Sequence, residues 1–156
     1  LHYIKKQKTD KAKTEGTGSD ISEDALLVAG RNADSLGIDA EFIQGDLFEN
    51  ISGTFGVILS NPPYIRTEEI ESLQDEVRLH DPRLALDGKE DGLYFYRRII
   101  RESRDYLLPG GYLMFEIGYD QAEDVGNLMS EAGYADITVK KDLVGLDRVV
   151  CGRYIR

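Results

Sequence analysis

The sequence predicts an α/β protein whose mostly parallel sheet is covered by helices on both faces and ends in an antiparallel strand. From residue 20 onward, short apolar runs alternate with amphipathic stretches, which is typical of parallel strands joined by helices. The last two runs, 137–141 and 148–154, have no helix between them, and this favours an antiparallel pair. An asparagine and two prolines follow the apolar run 55–60, at the kind of strand end where open α/β sheets place their ligand sites.

The composition is that of one soluble globular domain. The chain has 156 residues, of which 41% are hydrophobic and 31% are charged. Cys151 is the only cysteine, so no internal disulfide can form, and this favours a reducing, cytoplasmic location. No apolar run reaches the length of a membrane span, so we expect no membrane partner. His2 and His80 lack the spacing of metal ligands, and we predict no metal site.

The charge is distributed unevenly along the chain. Residues 1–14 carry a net charge of +4, whereas the remaining residues carry −14. An acidic body is a poor partner for a polyanion, because phosphate binding relies on lysine and arginine displacing counterions. The charge therefore favours a protein or small-molecule substrate over a nucleic acid.

The amino-terminal residues show no pattern of a strand or a helix. They are rich in lysine and have little apolar periodicity, so we expect residues 1–15 to form a basic, disordered arm and residues 16–156 to form the folded domain. Gly16-Thr17-Gly18-Ser19 follows, a glycine-rich stretch suited to a loop.

The elements after residue 20 are predicted from caps, apolar spacing and turn residues. Asp20 or Ser22 can cap a helix whose first turn is acidic, and Gly37 ends it. Residues 40–44 and 55–60 are short apolar strands. The remaining predicted elements are a helix from Thr67 to Val77 opened by a capping box at Thr67, a loop over 78–91, a helix from Leu93 to Leu107, a turn at Pro109-Gly110-Gly111, a strand over 112–117, a helix from Gln121 to Ala132 ended by Gly133, and the two terminal strands.

The stretch Asn61-Pro62-Pro63-Tyr64 predicts a rigid site for a planar NH2 group. Neither proline can donate to a β ladder, so the strand must end here, and both prolines restrict the backbone. The Asn61 side-chain oxygen and the Pro62 carbonyl are two acceptors that could hold both N–H bonds of an amide, with the Tyr64 ring flat against it. A rigid turn that merely caps the strand is the alternative interpretation.

The sequence resembles a known family at these residues. Asn61-Pro62-Pro63-Tyr64 after an apolar strand is similar to the signature of S-adenosylmethionine-dependent amino-methyltransferases. Residues 76–88 and 90–100 resemble the release factor glutamine methyltransferases, the HemK/PrmC family, and the resemblance extends from about Gly16 to the C-terminus. It implies a Rossmann-like class I methyltransferase sheet and a peptide chain release factor as protein substrate.

The resemblance also implies a site for S-adenosylmethionine. Gly16 and Gly18 match the glycine loop that carries the methionine portion of the cofactor. Asp20 matches the acid that binds the ribose hydroxyls, although a plain helix cap explains this residue equally well. Asp46 would lie near the adenine amino group and Leu47 against the adenine ring, the alternative being a turn acid beside a core leucine.

By the same resemblance, Asn61, Pro62, Pro63 and Tyr64 form the catalytic stretch. Asn61 would contact both the methionine end of the cofactor and the substrate amide. The implied reaction is attack of a glutamine amide nitrogen on the sulfonium methyl group, with no strong general base and with positioning as the main source of rate.

The sequence departs from the family directly after the glycines. Ser19 is followed at once by Asp20, whereas a strand–loop–helix–strand unit takes about 30 residues. The first βαβ unit is therefore missing or incomplete. Two other functions remain open: an adenine-N6 methyltransferase of nucleic acids, and a non-catalytic remnant that lacks the cofactor loop.

Overall fold

The chain forms one seven-stranded sheet with helices packed against it. The computed structural model describes residues 2–6, 15–74 and 82–155. The strands are β1 (His2–Lys6), β2 (Glu15–Asp20), β3 (Ala40–Gln44), β4 (Phe55–Ser60), β5 (Leu107–Glu116), β6 (Tyr134–Lys141) and β7 (Asp147–Tyr154). The helices are α1 (Glu23–Leu36), α2 (Arg83–Leu86), α3 (Tyr94–Glu102) and α4 (Ala122–Glu131), with 3-10 helices at Thr67–Ser72 and Ser103–Asp105.

The sheet confirms the predicted α/β class. Its strand order is β3-β2-β1-β4-β5-β7-β6, with β2 parallel to β3 and β4 parallel to β5. The terminal hairpin of β6 and β7 is antiparallel, as predicted, and β7 is antiparallel to β5. Strand β1 is also antiparallel to both of its neighbours, β2 and β4, so these two strands run in the same direction.

Helix α1 forms as its caps predict. The Ser22 hydroxyl accepts from the backbone N–H of Ala25 over 3.2 Å, and Gly37 ends the helix in the left-handed conformation with φ 64°. Leu26, Ala29 and Ala33 are buried where the helix packs against β2 and β3.

The main core lies between the sheet and the helices α3 and α4. Its fully buried members include side chains from three strands and from both helices: Ile58, Leu113, Phe115 and Val150, with Tyr96, Ile99, Val125 and Met129 opposite. Each large apolar side chain buried in this way contributes about 1.5–3 kcal/mol of transfer free energy.

The opposite face of the central strands is less covered than the sequence predicts. Among the described residues, α1 covers this face over β2 and β3, where Gly30 approaches Phe42. Farther along the same face the side chains are only part-buried, and Tyr112 is 38% exposed. The part-buried members on β4, β5 and β7 are Val57, Leu59, Met114, Val149 and Cys151.

The predicted disordered arm is wrong for residues 2–6 and for Glu15, and the stretch 16–19 is a strand where a loop was expected. Residues 2–6 form β1 in the middle of the sheet, and residues 15–20 form β2. The other residues of the predicted arm lie outside the described part, except Glu15, which begins β2. The reason is that β1 joins the sheet through its backbone, and backbone hydrogen bonds need no apolar side-chain pattern. Because β1 and β2 are antiparallel, no βαβ crossover joins them, in agreement with the missing unit.

Four other predicted elements differ in detail. The helix expected over 67–77 is a 3-10 helix that ends at Ser72, and residues 75–77 lie outside the described part. The residue at the N-cap is Arg66 rather than Thr67, and the Thr67 hydroxyl donates to Asp87 over 2.6 Å. The loop predicted over 78–91 contains α2.

The helix expected to reach Leu107 ends at Glu102, because Leu107 pairs with Phe55 as the first residue of β5. The predicted Pro-Gly-Gly turn lies inside β5, where the pairing register with β4 shifts.

Candidate active site

Three strands, β2 and β3 side by side and β4 on the other side of β1, end at the same edge of the sheet and bring most of the predicted site residues there. Strands β2, β3 and β4 run in one direction, so their carboxyl ends lie together. Asp20 is the last residue of β2, Asp46 follows β3, and Asn61 follows β4. The β2 and β3 ends are joined directly, because the Gly45 backbone N–H donates to the Asp20 carbonyl over 3.1 Å.

Asp20 organises the entry into α1. Its Oδ1 accepts from the Ser22 backbone N–H over 2.9 Å, just before Ser22 caps the helix. This geometry agrees with the helix-cap interpretation. A contact between Asp20 and ribose hydroxyls stays a prediction.

Asp46 is paired with Arg98, which the sequence does not indicate as a site residue. Arg98 of α3 donates to Asp46 Oδ2 over 2.8 Å, and this hydrogen bond raises the pKa of the Arg98 guanidinium. The two residues are 52 positions apart, so no local pattern could have shown the pair. Asp46 remains part-exposed at the strand edge, and its contact with adenine stays a prediction.

Leu47 lies in the core beneath this edge. It has a left-handed backbone with φ 56°, which is unfavourable for a leucine, and its side chain is buried. The buried Ser19 hydroxyl donates to the Leu47 carbonyl over 2.8 Å and holds this conformation. The placement agrees with the core-leucine interpretation, and packing against adenine stays a prediction.

The predicted glycine loop is wrong, because Gly16 and Gly18 lie inside strand β2. Gly18 pairs with Phe42 of β3 and with Tyr3 of β1, so it belongs to a ladder on both sides. A loop that cradles a ligand needs backbone N–H groups that are free to point at it. Gly16 lies nearer the opposite edge of the sheet, where it lines a cavity together with Asp39 and Phe55. The structure therefore does not bring Gly16 together with Asp46 and Asn61.

The stretch Asn61-Pro62-Pro63-Tyr64, called the acceptor loop below, follows β4 directly at this edge of the sheet. Asn61 is exposed, and among the described residues its side chain makes no hydrogen bond. Pro62 is fully buried and anchors the loop, while Pro63 and Tyr64 are part-buried. An exposed carboxamide, without a partner in the described part of the chain, therefore lies at the sheet edge beside a buried proline.

The end of the acceptor loop is held by residues near Gly88 and Gln121, for which the sequence pattern predicts only loop and helix structure. The Ile65 N–H donates to the Leu86 carbonyl over 3.0 Å, and the Gly88 N–H donates to the Ile65 carbonyl over 2.8 Å. Arg66 forms an ion pair of 3.1 Å with Asp120, and this pairing raises the Arg66 pKa. The buried Gln121 side chain donates to the Tyr64 carbonyl over 3.1 Å. These contacts join residues far apart in sequence, so periodicity gave no signal for them.

Comparisons with known proteins give the family and the fold. The sequence profile of the methyltransferase small domain matches residues 4–88, which is more than half of the chain. The chain belongs to the methyltransferase small domain family.

Proteins named release factor glutamine methyltransferase are relatives of this methyltransferase small domain. The one from Agrobacterium fabrum is 46% identical over 144 residues, covering 91% of this chain and 50% of the relative. The one from Geobacter sulfurreducens is 47% identical over 137 residues, covering 87% of this chain and 48% of the relative. These relatives confirm the resemblance found in the sequence. The chain spans about half the length of the curated relatives it matches.

A solved structure confirms the methyltransferase fold. The crystal structure of a methyltransferase from Pyrococcus furiosus superposes with a TM-score of 0.65 at 19% identity, covering 90% of this chain and 62% of that protein. At this identity the likeness concerns the fold alone.

The residues of this methyltransferase small domain fit one end of S-adenosylmethionine and not the other. Asp20 and Asp46 present carboxyl oxygens at adjacent strand ends, which suit the hydroxyl and amino groups of a nucleoside. The methionine end finds no glycine loop, because Gly16 and Gly18 are paired in β2. The described residues therefore do not form a complete cradle for this cofactor.

One buried polar atom beside the acceptor loop has no partner in the described part of the chain. Ser60 is 6% exposed, and its hydroxyl makes no hydrogen bond there. Within the same residues, no three His, Cys, Asp or Glu side chains are arranged to hold a metal ion. Nor is any described helix both long and apolar enough to cross a bilayer.

Proposed function

We propose that this methyltransferase small domain carries the acceptor site of a protein-glutamine N5-methyltransferase that uses S-adenosylmethionine in the cytoplasm. The observation that carries the proposal is the exposed Asn61 carboxamide, which has no hydrogen-bond partner among the described residues and directly precedes the buried Pro62. The relatives named release factor glutamine methyltransferase support a peptide chain release factor as the substrate.

The acceptor loop would work by aiming a poor nucleophile. An amide nitrogen reacts slowly, because its lone pair is delocalised into the carbonyl. The Asn61 Oδ1 accepts one N–H of the glutamine amide and the Pro62 carbonyl accepts the other, so the nitrogen is held in one orientation. The Tyr64 ring packs against the amide plane. The N–C bond would form as the S–C bond of the sulfonium methyl group breaks and leaves a neutral thioether. The nitrogen would then lose its proton to water, so this site needs no strong general base.

The proposed substrate is a protein and not a nucleic acid. Residues 15–156 carry a net charge of −14, which disfavours a phosphate backbone. The acceptor loop alone would also suit the exocyclic amino group of adenine, so the experiment must separate the two.

Transfer of tritium from methyl-labelled S-adenosylmethionine tests the proposal. The chain is incubated with a release factor and, separately, with DNA, and the label is located after digestion. We expect label on glutamine of the release factor. Asn61→Ala should lower the rate by about 100-fold, which is typical of removing one positioned hydrogen-bonding group. Label only in DNA would overturn the proposal in favour of an adenine methyltransferase.

A second candidate is a non-catalytic remnant, and the pairing of Gly16 and Gly18 within β2 favours it. Calorimetry with S-adenosylmethionine separates the two candidates. Measurable heat together with label transfer supports the methyltransferase. No heat, no thermal shift and no label support the remnant.

A further inference from the structure

Gln121 is a buried polar residue outside the set predicted from the sequence. It is 2% exposed and lies at the start of α4. A buried side-chain amide is costly unless its donors and acceptor are used. In Gln121 both ends of the amide are used.

The side chain links four segments of the chain. Its Nε2 donates to the Tyr64 carbonyl over 3.1 Å and to the Gly92 carbonyl over 3.4 Å. Its Oε1 accepts from the Gly118 N–H over 3.0 Å, with a longer contact of 3.5 Å from the Tyr96 hydroxyl. The acceptor loop is thereby tied to α3, to the residues before α3, and to the turn after β5.

Three glycines leave the space that this arrangement needs. A Cβ at Gly92 would lie 2.7 Å from Gln121 Nε2, and one at Gly118 would lie 2.9 Å from its Oε1. A Cβ at Gly88 would lie 2.7 Å from the Tyr64 Cα. Each distance is shorter than real Cβ contacts allow, so the three glycines accommodate Gln121 and the Tyr64 backbone.

The position of Tyr64 bears directly on Asn61. The two residues are separated only by Pro62 and Pro63, whose rings restrict the backbone. Strand β4 fixes the loop at one end, and the Tyr64 carbonyl bound by Gln121 fixes it at the other.

We propose that Gln121 is the positioning residue of the acceptor site, because its hydrogen bond to the Tyr64 carbonyl sets the direction of the Asn61 carboxamide and the Tyr64 ring. The assignment rests on the proposed function. Gln121 does not contact the substrate and acts through the acceptor loop.

Gln121→Glu gives a test with its own signature. The two side chains have nearly the same shape, but a carboxylate cannot donate to Tyr64 or Gly92 and places a negative charge against two carbonyls. Burial raises the pKa of the introduced carboxyl group, and its protonation at lower pH restores one donor. The tether therefore becomes dependent on pH in the variant.

The charged and titratable groups around this position must be controlled. They are Tyr64 on the acceptor loop, Tyr96 on α3, Glu116 at the end of β5, Asp120 in the adjoining turn and Arg148 on β7. All of them are present in the unmodified protein. The pH profile of the unmodified protein therefore measures their contribution, which is subtracted from the profile of the variant.

The experiment follows the side-chain amide signal of Asn61 and the ring signals of Tyr64 by NMR, between about pH 5.5 and about pH 8.5. In Gln121→Glu we expect these signals to be displaced at the high pH and to return toward their original positions at the low pH. The affinity for a blocked glutamine, N-acetylglutamine methylamide, should fall by about tenfold at the high pH and recover at the low pH.

Tyr134→Phe is the matched control. It removes a buried hydroxyl at the start of β6 that bonds Ser103 in the 3-10 helix Ser103–Asp105 over 2.8 Å and makes no hydrogen bond to the acceptor loop among the described residues. It should lower stability while leaving the Asn61 signal in place at every pH. If Gln121→Glu leaves the Asn61 and Tyr64 signals unchanged, or if both variants move them equally, the inference is overturned. Failure of the unmodified protein to bind the blocked glutamine would count against the proposed function instead, and the NMR signals would still decide the role of Gln121.

Discussion

The Thr67 hydroxyl donates to Asp87 Oδ1 over 2.6 Å, which joins the residues after the acceptor loop to the segment that packs on it. Lys89 adds a backbone N–H bond of 3.0 Å to the same oxygen. Asp87 therefore couples the charge state of one carboxyl group to the conformation of this segment.

Thr67→Val should make the protein less sensitive to acid. The Thr67 hydrogen bond is the largest of the effects that lower the pKa of Asp87. A depressed carboxyl pKa stabilises the fold above the unfolded-state pKa, and this stability is lost as pH falls through the folded-state pKa. The variant should be less stable at neutral pH by about 1–2 kcal/mol and should lose less stability on acidification. Urea unfolding at several pH values measures both effects. Thr138→Val, at an exposed site on β6, is the control, and equal acid sensitivity in all three proteins would contradict the prediction.

Ser60→Ala should leave stability unchanged or raise it by about 1 kcal/mol, because the variant removes a buried hydroxyl without a partner in the described residues. Ser19→Ala is the matched comparison, because it removes a buried hydroxyl that has a partner. That hydroxyl is equally buried but donates to the Leu47 carbonyl over 2.8 Å, so its loss should cost about 1 kcal/mol or more. Chemical denaturation of the two variants gives the comparison. A loss of stability in Ser60→Ala as large as that in Ser19→Ala would reject the assignment of an unpartnered hydroxyl.

Gly88→Ala should be severely destabilising, by about 2 kcal/mol or more. The added methyl group would meet the backbone of Tyr64, which cannot move aside as a flexible side chain can. Gly126→Ala is the control inside α4, where the nearest atom to the added carbon is 3.7 Å away on Ile137. That substitution should stabilise the protein by about 1 kcal/mol, through helix propensity. Thermal unfolding of both variants tests the contrast, and equal melting temperatures would refute it.

Adenosine should stabilise this methyltransferase small domain about as well as S-adenosylmethionine does. The described residues offer polar groups to a nucleoside at Asp20 and Asp46 but no glycine loop to the methionine end. The measurement is the shift in melting temperature over a concentration series of each ligand, with guanosine as the control for non-specific binding. A clearly larger shift with S-adenosylmethionine would show that the chain contacts its methionine portion.

Several local predictions hold, although the capping box at Thr67 and the turn at residues 109–111 do not. The Ser22 and Gly37 caps and the strand before Asn61 follow from residues close together, and the structure has all of them. The loop predicted at Gly16 and Gly18 is a strand, because a glycine-rich stretch is compatible with both. Pairing with β3 decides between the two.

The rest of the site depends on contacts between distant segments. Arg98 reaches Asp46 across 52 positions, and Gln121 reaches Tyr64 across 57. Arg98 and Gln121 each look like an ordinary helix residue when the helix sequence is considered alone. Such pairs exist only once the sheet has set the helices in place, so no periodicity or motif predicts them.

The face of β4, β5 and β7 opposite the main core is only partly covered by the described residues, and this has a thermodynamic consequence. Side chains such as Leu59 and Met114 already meet water in the native state, so unfolding transfers less hydrocarbon from a dry interior than the length of the chain would suggest. The heat-capacity increment of unfolding should accordingly fall below the usual value of about 12–15 cal/mol/K per residue, giving a flatter curve of stability against temperature.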